Sequence, residues 1–197
     1  MKYRSKKFTA IIMLAAGLSV TACSPDSSKD SARREKAAAE AENYQPQGIL
    51  AKSLPEIADA LNKGEITSQA LVQLYLDRIN AVDRNGPTLQ AVLRVNPDAL
   101  ADAKALDALR AAGTIRGPLH GVPILLKDNI ETKGPMATTA GALALKDNIT
   151  GRDSPLVAGL REAGAIILGK TNLSQWANFR SENSMSGWSA MGGQVRN

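Results

Sequence analysis

The sequence predicts an α/β fold in which parallel strands are joined through helices, and three observations carry that prediction. Two short, continuous apolar runs, Ile124-Leu125-Leu126 and Ala165-Ile166-Ile167-Leu168, read as strands covered on both faces. A helix opening at Ser154-Pro155 and ending at Gly164 lies between them, which makes a βαβ unit. Further helices, with one more strand, precede the first run.

The elements follow in order from Ile49. Ser53-Leu54-Pro55-Glu56 has serine at N-cap and glutamate three residues on, a capping box that opens a helix to about Lys63, closed by Gly64. A second helix is expected from about Ser68 to Val82, because Leu71, Leu74, Tyr75, Ile79 and Val82 share one face; Tyr75 reads as core there. Thr88 to Val95 reads as a strand, with Leu89, Ala91, Leu93 and Val95 alternating. Asn96-Pro97 then supplies an N-cap and a proline at N1 for a third helix running to Gly113. After the second apolar run, Thr171 or Asn172 is expected to cap a short helix through Phe179.

The residues before Ile49 have another character. Lys2, Arg4, Lys6 and Lys7 precede any acidic residue and lead into an apolar run, Phe8 to Ala22. That is the pattern of an export signal at 1–22, and it is shorter than the roughly 20 apolar residues of a membrane span. Val20-Thr21-Ala22-Cys23 resembles the bacterial lipobox, which implies an acylated Cys23 anchored to the membrane and facing the periplasm. Ser24, where inner-membrane lipoproteins of enteric bacteria carry aspartate, favours the outer membrane. Residues 23–48 are polar and charged and form a linker, leaving 49–197 as the folded part. Residues 1–22 hold four basic residues and no acidic one, so the formal charge of +5 falls to +1 without them. The basic balance therefore belongs to the export signal and does not point to nucleic acid. Nothing here reads on oligomeric state.

Lys127 ends the first apolar strand, and ligand sites of parallel sheets gather at the carboxyl ends of strands. Burial there would lower its pKa and let it accept a proton as a general base. The plain alternative is a lysine that reaches solvent or pairs with Asp128 or Glu131. Asp128 and Asn129 are expected to organise the turn that follows. Lys170 ends the second strand similarly, but Gly169 and the Thr171-Asn172 cap give it a structural role. Trp176, Phe179 and Trp188 are candidates for a substrate cleft, against the alternative of packing. Ser189, in Gly187-Trp188-Ser189-Ala190-Met191, has Met where a nucleophile elbow needs its second glycine and is not expected to be catalytic. His120 is expected in a turn. With one histidine and an acylated cysteine, neither a metal site nor a cofactor is expected.

Taken together, GPLHGVPILLKDNI (117–130) and SPLVAGLREAGAIILGKTNLSQWANFR (154–180) closely resemble the amidase signature family of serine hydrolases. The resemblance covers Leu54 to Asn197, and GKTNLSQWANFR with SGWSAMGGQVRN is most similar to the bacterial peptide amidases. It implies a mixed, largely parallel sheet covered by helices on both faces, of which this chain holds the N-terminal part, about a third. It implies Lys127 as the base of a Ser–cis-Ser–Lys triad, acting through an acyl-enzyme on linear amides such as peptide C-terminal carboxamides. The two serines and the oxyanion glycines of that pattern have no counterpart in residues 1–197, so this chain alone is expected to be inactive. The alternatives are a short, non-catalytic envelope lipoprotein that binds a partner, and another amidase-signature activity.

Overall fold

The structure, a computed structural model, describes residues 43–179 and 182–196. The export signal, Cys23 and most of the linker lie outside the described residues. Residues from Tyr44 onward form one compact unit.

The first helix, α1 (Leu54–Asn62), begins as its capping box dictates: the Ser53 backbone N–H donates to the Glu56 carboxylate at 2.8 Å. Helix α2 (Ser68–Arg78) is capped twice. The Thr67 hydroxyl accepts from Ala70 N–H at 3.1 Å, and Asp107 accepts from the backbone of Ser68 and Gln69 at 2.7 and 2.9 Å. These carboxylate bonds join the start of α2, where the dipole favours negative charge, to helix α3 (Ala99–Ala111).

Two boundaries differ from expectation. The second helix leaves α geometry at Ile79 and continues as a π-turn, Ile79–Arg84. The strand expected from Thr88 starts only at Val92, because Thr88 and Gln90 sit at φ 53 and 56, outside extended geometry. The Asp83 carboxylate, buried, accepts from Ala91 and Val92 N–H at 2.6 and 3.1 Å and so fixes where strand β1 (Val92–Val95) begins. Asn96 does not cap α3 directly, since Asp98 is the N-cap. Its amide instead accepts from Asp98 N–H and donates to Ile167 O, tying the end of β1 to the sheet.

The remaining strands are β2 (Pro123–Lys127) and β3 (Ile166–Thr171), with helix α4 (Pro155–Glu162) between them. The sheet order is β1-β3-β2. Strand β3 pairs parallel with β2 and antiparallel with β1, so the described sheet is mixed and the expected βαβ unit is present. Helices cover both faces. Ile166 and Leu168 pack with Val72, Ala99, Ala103 and Leu106 from α2 and α3. Ile167 packs on the other side with Leu126, Met136 and Val157, the last from α4. Full burial of an aliphatic side chain of this kind contributes about 1.5–3 kcal/mol. Gly164 ends α4 at φ +89, where a Cβ would stand 2.6 Å from His120 Cα, so only glycine fits that turn. A two-stranded ribbon of β4 (Trp188–Ser189) and β5 (Gly193–Gln194) closes the described chain.

Candidate active site

The two strand-end lysines have opposite environments. Lys170 lies in the central strand and is fully buried, while Lys127 ends the edge strand among the described residues and is exposed. The expectation that an apolar flank would bury Lys127 is thus corrected. Along β2 only Leu126 is buried and Leu125 points to the opposite, exposed face, so the apolar run does not enclose the Lys127 side chain.

Lys170 instead meets the conditions for a perturbed lysine. Its Nζ donates to Ile130 O at 2.5 Å and to the Thr138 hydroxyl at 3.1 Å. Burial holds its pKa below the ordinary lysine range; the Asp128 carboxylate opposes that shift and the Arg94 guanidinium adds to it. The strand carries an extra residue here, because Ile124 pairs with Ile167 but Leu125 pairs with Gly169. Such a bulge re-aims side chains, and Ile167 and Lys170, three residues apart, both reach Ile130. The structural role expected of Lys170 is what the contacts show.

Asp128, next to Lys127, is fully buried. One carboxylate oxygen accepts from Thr139 through both its hydroxyl and its N–H, and from Gly141 N–H at 3.4 Å. Its carbonyl accepts from the N–H of Thr139 and Ala140, and its own N–H donates to Thr171 O. Asp128 therefore does more than shape the next turn: it pins residues 139–141 against the ends of β2 and β3. Asn129 is exposed.

That loop leads to the aromatic residues. Ala140 O accepts from Trp176 N–H at 3.0 Å, and Gly141 O accepts from Met191 N–H at 3.2 Å. The helix expected through Phe179 is instead a tight 3₁₀ stretch, Gln175–Asn178, in which Trp176, Ala177 and Asn178 have φ 52, 52 and 64. Left-handed backbone costs about 1–2 kcal/mol per residue. This geometry breaks the helical spacing of Trp176 and Phe179. Trp176 and Trp188 line one cavity of about 410 Å³ with Gln175, Asn178, Asn183, Ser184 and Met185. Phe179 is 88% exposed and outside it.

Ser189 is buried, and its hydroxyl is fully engaged, donating to Asn172 Oδ1 at 2.6 Å and accepting from Gly192 N–H at 2.9 Å. The Asn172 amide also donates to Gln90 O and Gly193 O, so it joins β3 to the chain before β1 and to the terminal ribbon. His120 is a buried turn residue. Nδ1 accepts from Arg116 N–H, so Nε2 carries the proton donated to Leu106 O. Among the described residues no cluster of His, Cys, Asp and Glu could hold a metal ion.

A family model described as Amidase matches residues 70–197. The chain belongs to the amidase family. The X-ray structure of native peptide amidase from Stenotrophomonas maltophilia is 54% identical, with a TM-score of 0.72 over 74% of this chain and 30% of that one. An amidase family protein from Bacillus anthracis is 35% identical, with a TM-score of 0.71 over 84% of this chain and 31% of that one. A relative from Arabidopsis thaliana, named as an amidase, is 47% identical over 151 residues, 76% of this chain and 29% of that protein. The mixed α/β architecture is that of the amidase-signature fold. The chain spans 22 to 29% of the length of the first curated relatives it matches.

In this amidase segment the residues that sequence reasoning passed over are Thr138, Thr139 and Gln175, and Asn172 was read only as a helix cap. The run Met136-Ala-Thr-Thr-Ala-Gly141 carried a faint signal, small residues ending in a glycine, which marks a turn but not its partner.

Proposed function

We propose that the protein hydrolyses linear amides, peptide C-terminal carboxamides among them, with Lys127 as general base. The observation that carries this reading is the contrast between the two strand-end lysines. Lys170 is locked into the core by Ile130 and Thr138, whereas Lys127 stands free of burial at the carboxyl end of a parallel strand, beside the pinned Asp128. A base must come within hydrogen-bond reach of the proton it takes; Lys170 is committed to Ile130 and Thr138, and the exposure of Lys127 supports assigning that role to it. In the proposed step Lys127 accepts a proton through one serine and returns it to the departing nitrogen. A second serine attacks the amide carbonyl, ammonia leaves, and water releases the acyl group. Ser189 is no candidate for either serine, because both roles of its hydroxyl are taken inside the fold. A polypeptide of residues 1–197 should accordingly leave serine-directed covalent probes unreacted. We further propose that acylated Cys23 tethers the enzyme to the envelope, facing the periplasm.

The test is a graft. Residues 44–197 replace the matching segment of the Stenotrophomonas peptide amidase, and ammonia release from a peptide amide is followed. The graft should hydrolyse the amide, and Lys127→Met should lower kcat by about 10²–10⁴-fold. A folded graft that is inert, or one indifferent to Lys127→Met, overturns the proposal.

A further inference from the structure

We propose that Asn85 is a site of spontaneous modification: the Gly86 nitrogen attacks its side-chain amide, ammonia leaves, and the resulting aspartate or isoaspartate loosens the start of strand β1.

Asn85-Gly86 is the only Asn-Gly pair of the chain. Both residues are exposed, in the turn between the π-turn Ile79–Arg84 and β1. Glycine has no Cβ, so its backbone nitrogen is the least shielded nucleophile that can follow an asparagine. In the step, Gly86 N bonds to Asn85 Cγ and gives up its proton. The Cγ–Nδ2 bond breaks, and Nδ2 departs with that proton as ammonia, leaving a five-membered succinimide. Water then adds to one of the two ring carbonyls and opens the ring. Attack at Cγ gives aspartate; attack at the backbone carbonyl gives isoaspartate, with Gly86 now joined through the side chain. The net change is amide plus water to carboxylic acid plus ammonia, with no oxidation or reduction.

The fold uses both residues, so it keeps this labile pair. The Asn85 side-chain amide donates to Asn80 O at 2.9 Å and to Asn80 Oδ1 at 3.1 Å, closing the end of the π-turn. Gly86 stands at φ +51, where a Cβ would lie 2.7 Å from both Ala81 O and the Tyr44 hydroxyl. The two bonds to Asn80 also slow the reaction, because they must break before the amide can turn to meet Gly86 N.

Modification at this point reaches β1 through contacts already described for Asp83. The Asn85 carbonyl accepts from Thr88 N–H at 3.0 Å, and Leu89 and Gln90 N–H donate back to Val82 O and Asp83 O at 3.4 and 3.3 Å. The buried Asp83 carboxylate then accepts from Ala91 and Val92. Either product lacks the amide donors and sets a carboxylate against two oxygens of Asn80. It does so at the end of a helical stretch, where the dipole disfavours negative charge. Isoaspartate also lengthens the backbone by one carbon and makes the carbonyl used by Thr88 a side branch. The π-turn then loses its closure, and with it the fixed position of Asp83.

The whole chain and a synthetic peptide of residues 81–90 are kept in mildly alkaline buffer and sampled by mass spectrometry. Trypsin cuts after Arg84 and Arg94, so Asn85 is the only asparagine of its peptide, and digestion in heavy-oxygen water marks any conversion during handling. Asn85 in the chain should convert, about tenfold or more slowly than in the peptide. Asn80→Ala, which removes one of the two acceptors, should speed it by about 2- to 10-fold. In Asn85→Asp, which carries the product's charge, hydrogen exchange of Ala91 and Val92 N–H should quicken about tenfold. Exchange at Ile167 and Leu168, in the central strand, should stay at the wild-type rate and shows that the variants fold. No conversion in the chain while the peptide converts overturns the site. Equal rates in chain and peptide, or an Asn80→Ala variant no faster than wild type, overturn the hold by Asn80. Unchanged exchange at Ala91 and Val92 overturns the coupling to β1.

Discussion

Replacing Lys170 by Met probes the centre of the fold. Methionine is unbranched and flexible enough to follow the lysine's path through the core, so the change removes a charge and its bonds and leaves the volume nearly filled. Two charge-assisted hydrogen bonds disappear, to Ile130 O and to the Thr138 hydroxyl. Bonds to a charged group contribute about 1.5–3 kcal/mol each. Two effects reduce the loss. Ile130 O keeps the Thr132 and Thr138 hydroxyls as donors, at 3.2 and 3.4 Å, and the desolvation of the ammonium is no longer incurred. The Asp128 carboxylate loses its buried counter-charge but retains Thr139 and Gly141. The expected net loss is about 3 kcal/mol, which for a fold of this size lowers Tm by about 6–12 °C.

The pH dependence carries the sharper sign. Lys170 has its pKa lowered from 10.5 in the folded state by burial, so between that lowered value and 10.5 the unfolded chain binds more protons than the folded one. Stability due to this group therefore rises with pH through that window, and the penalty is fully present below it. Tyr75, raised by its own burial, acts in the opposite sense above about 10, but it does so equally in both proteins and cancels in their difference. Thermal unfolding of wild type and Lys170→Met at pH 7, 8, 9 and 10 should show the wild-type advantage widening with pH. A variant as stable as wild type at pH 7, or an advantage that stays flat or shrinks, refutes the account of Lys170 as a desolvated, hydrogen-bonded cation.

Gly141→Ala should cost about 2–4 kcal/mol, measured by urea unfolding, because φ is +77 there and the new Cβ would lie 2.7 Å from Ser189 Cβ. Ser189→Ala should destabilise by about 2 kcal/mol through loss of its bonds to Asn172 and Gly192, and should leave reaction with serine-directed probes unchanged.

The local signals in the sequence were legible because they depend on nearby residues. The Ser53–Glu56 box and the Ser154-Pro155 start each act within one turn of helix, and both open helices where they stand. The βαβ unit was legible because a strand, a helix of that length and a second apolar strand have few ways to pack. What stayed hidden depends on partners outside the element itself. Thr88 and Gln90 leave the extended region, and the buried Asp83 carboxylate, in the preceding π-turn, fixes the strand's start at Val92. The turn at Trp176 takes a left-handed form while its N–H is held by Ala140, a residue with no sequence signature for that task. Asn172 joins Gln90 to Gly193 across the fold, and its amide looked like a simple helix cap.

The reversal of the two lysines follows from strand order alone. Ile124-Leu125-Leu126 and Ile166-Ile167-Leu168 are equally apolar, yet among the described residues only the second runs between two neighbours. A central strand has both edges paired and both faces covered, so a lysine at its end is taken into the core and must find backbone and hydroxyl acceptors there, as Lys170 does. Strand β2 is paired on one side only among the described residues, and its terminal Lys127 is exposed. Lys170 draws Ile130 and Thr138 together beneath the loop that Asp128 pins, at the strand end where Lys127, the proposed base, stands. A lysine buried and bonded into the fold would be a poor base, and a base without a fixed strand end would lose the alignment that proton transfer needs.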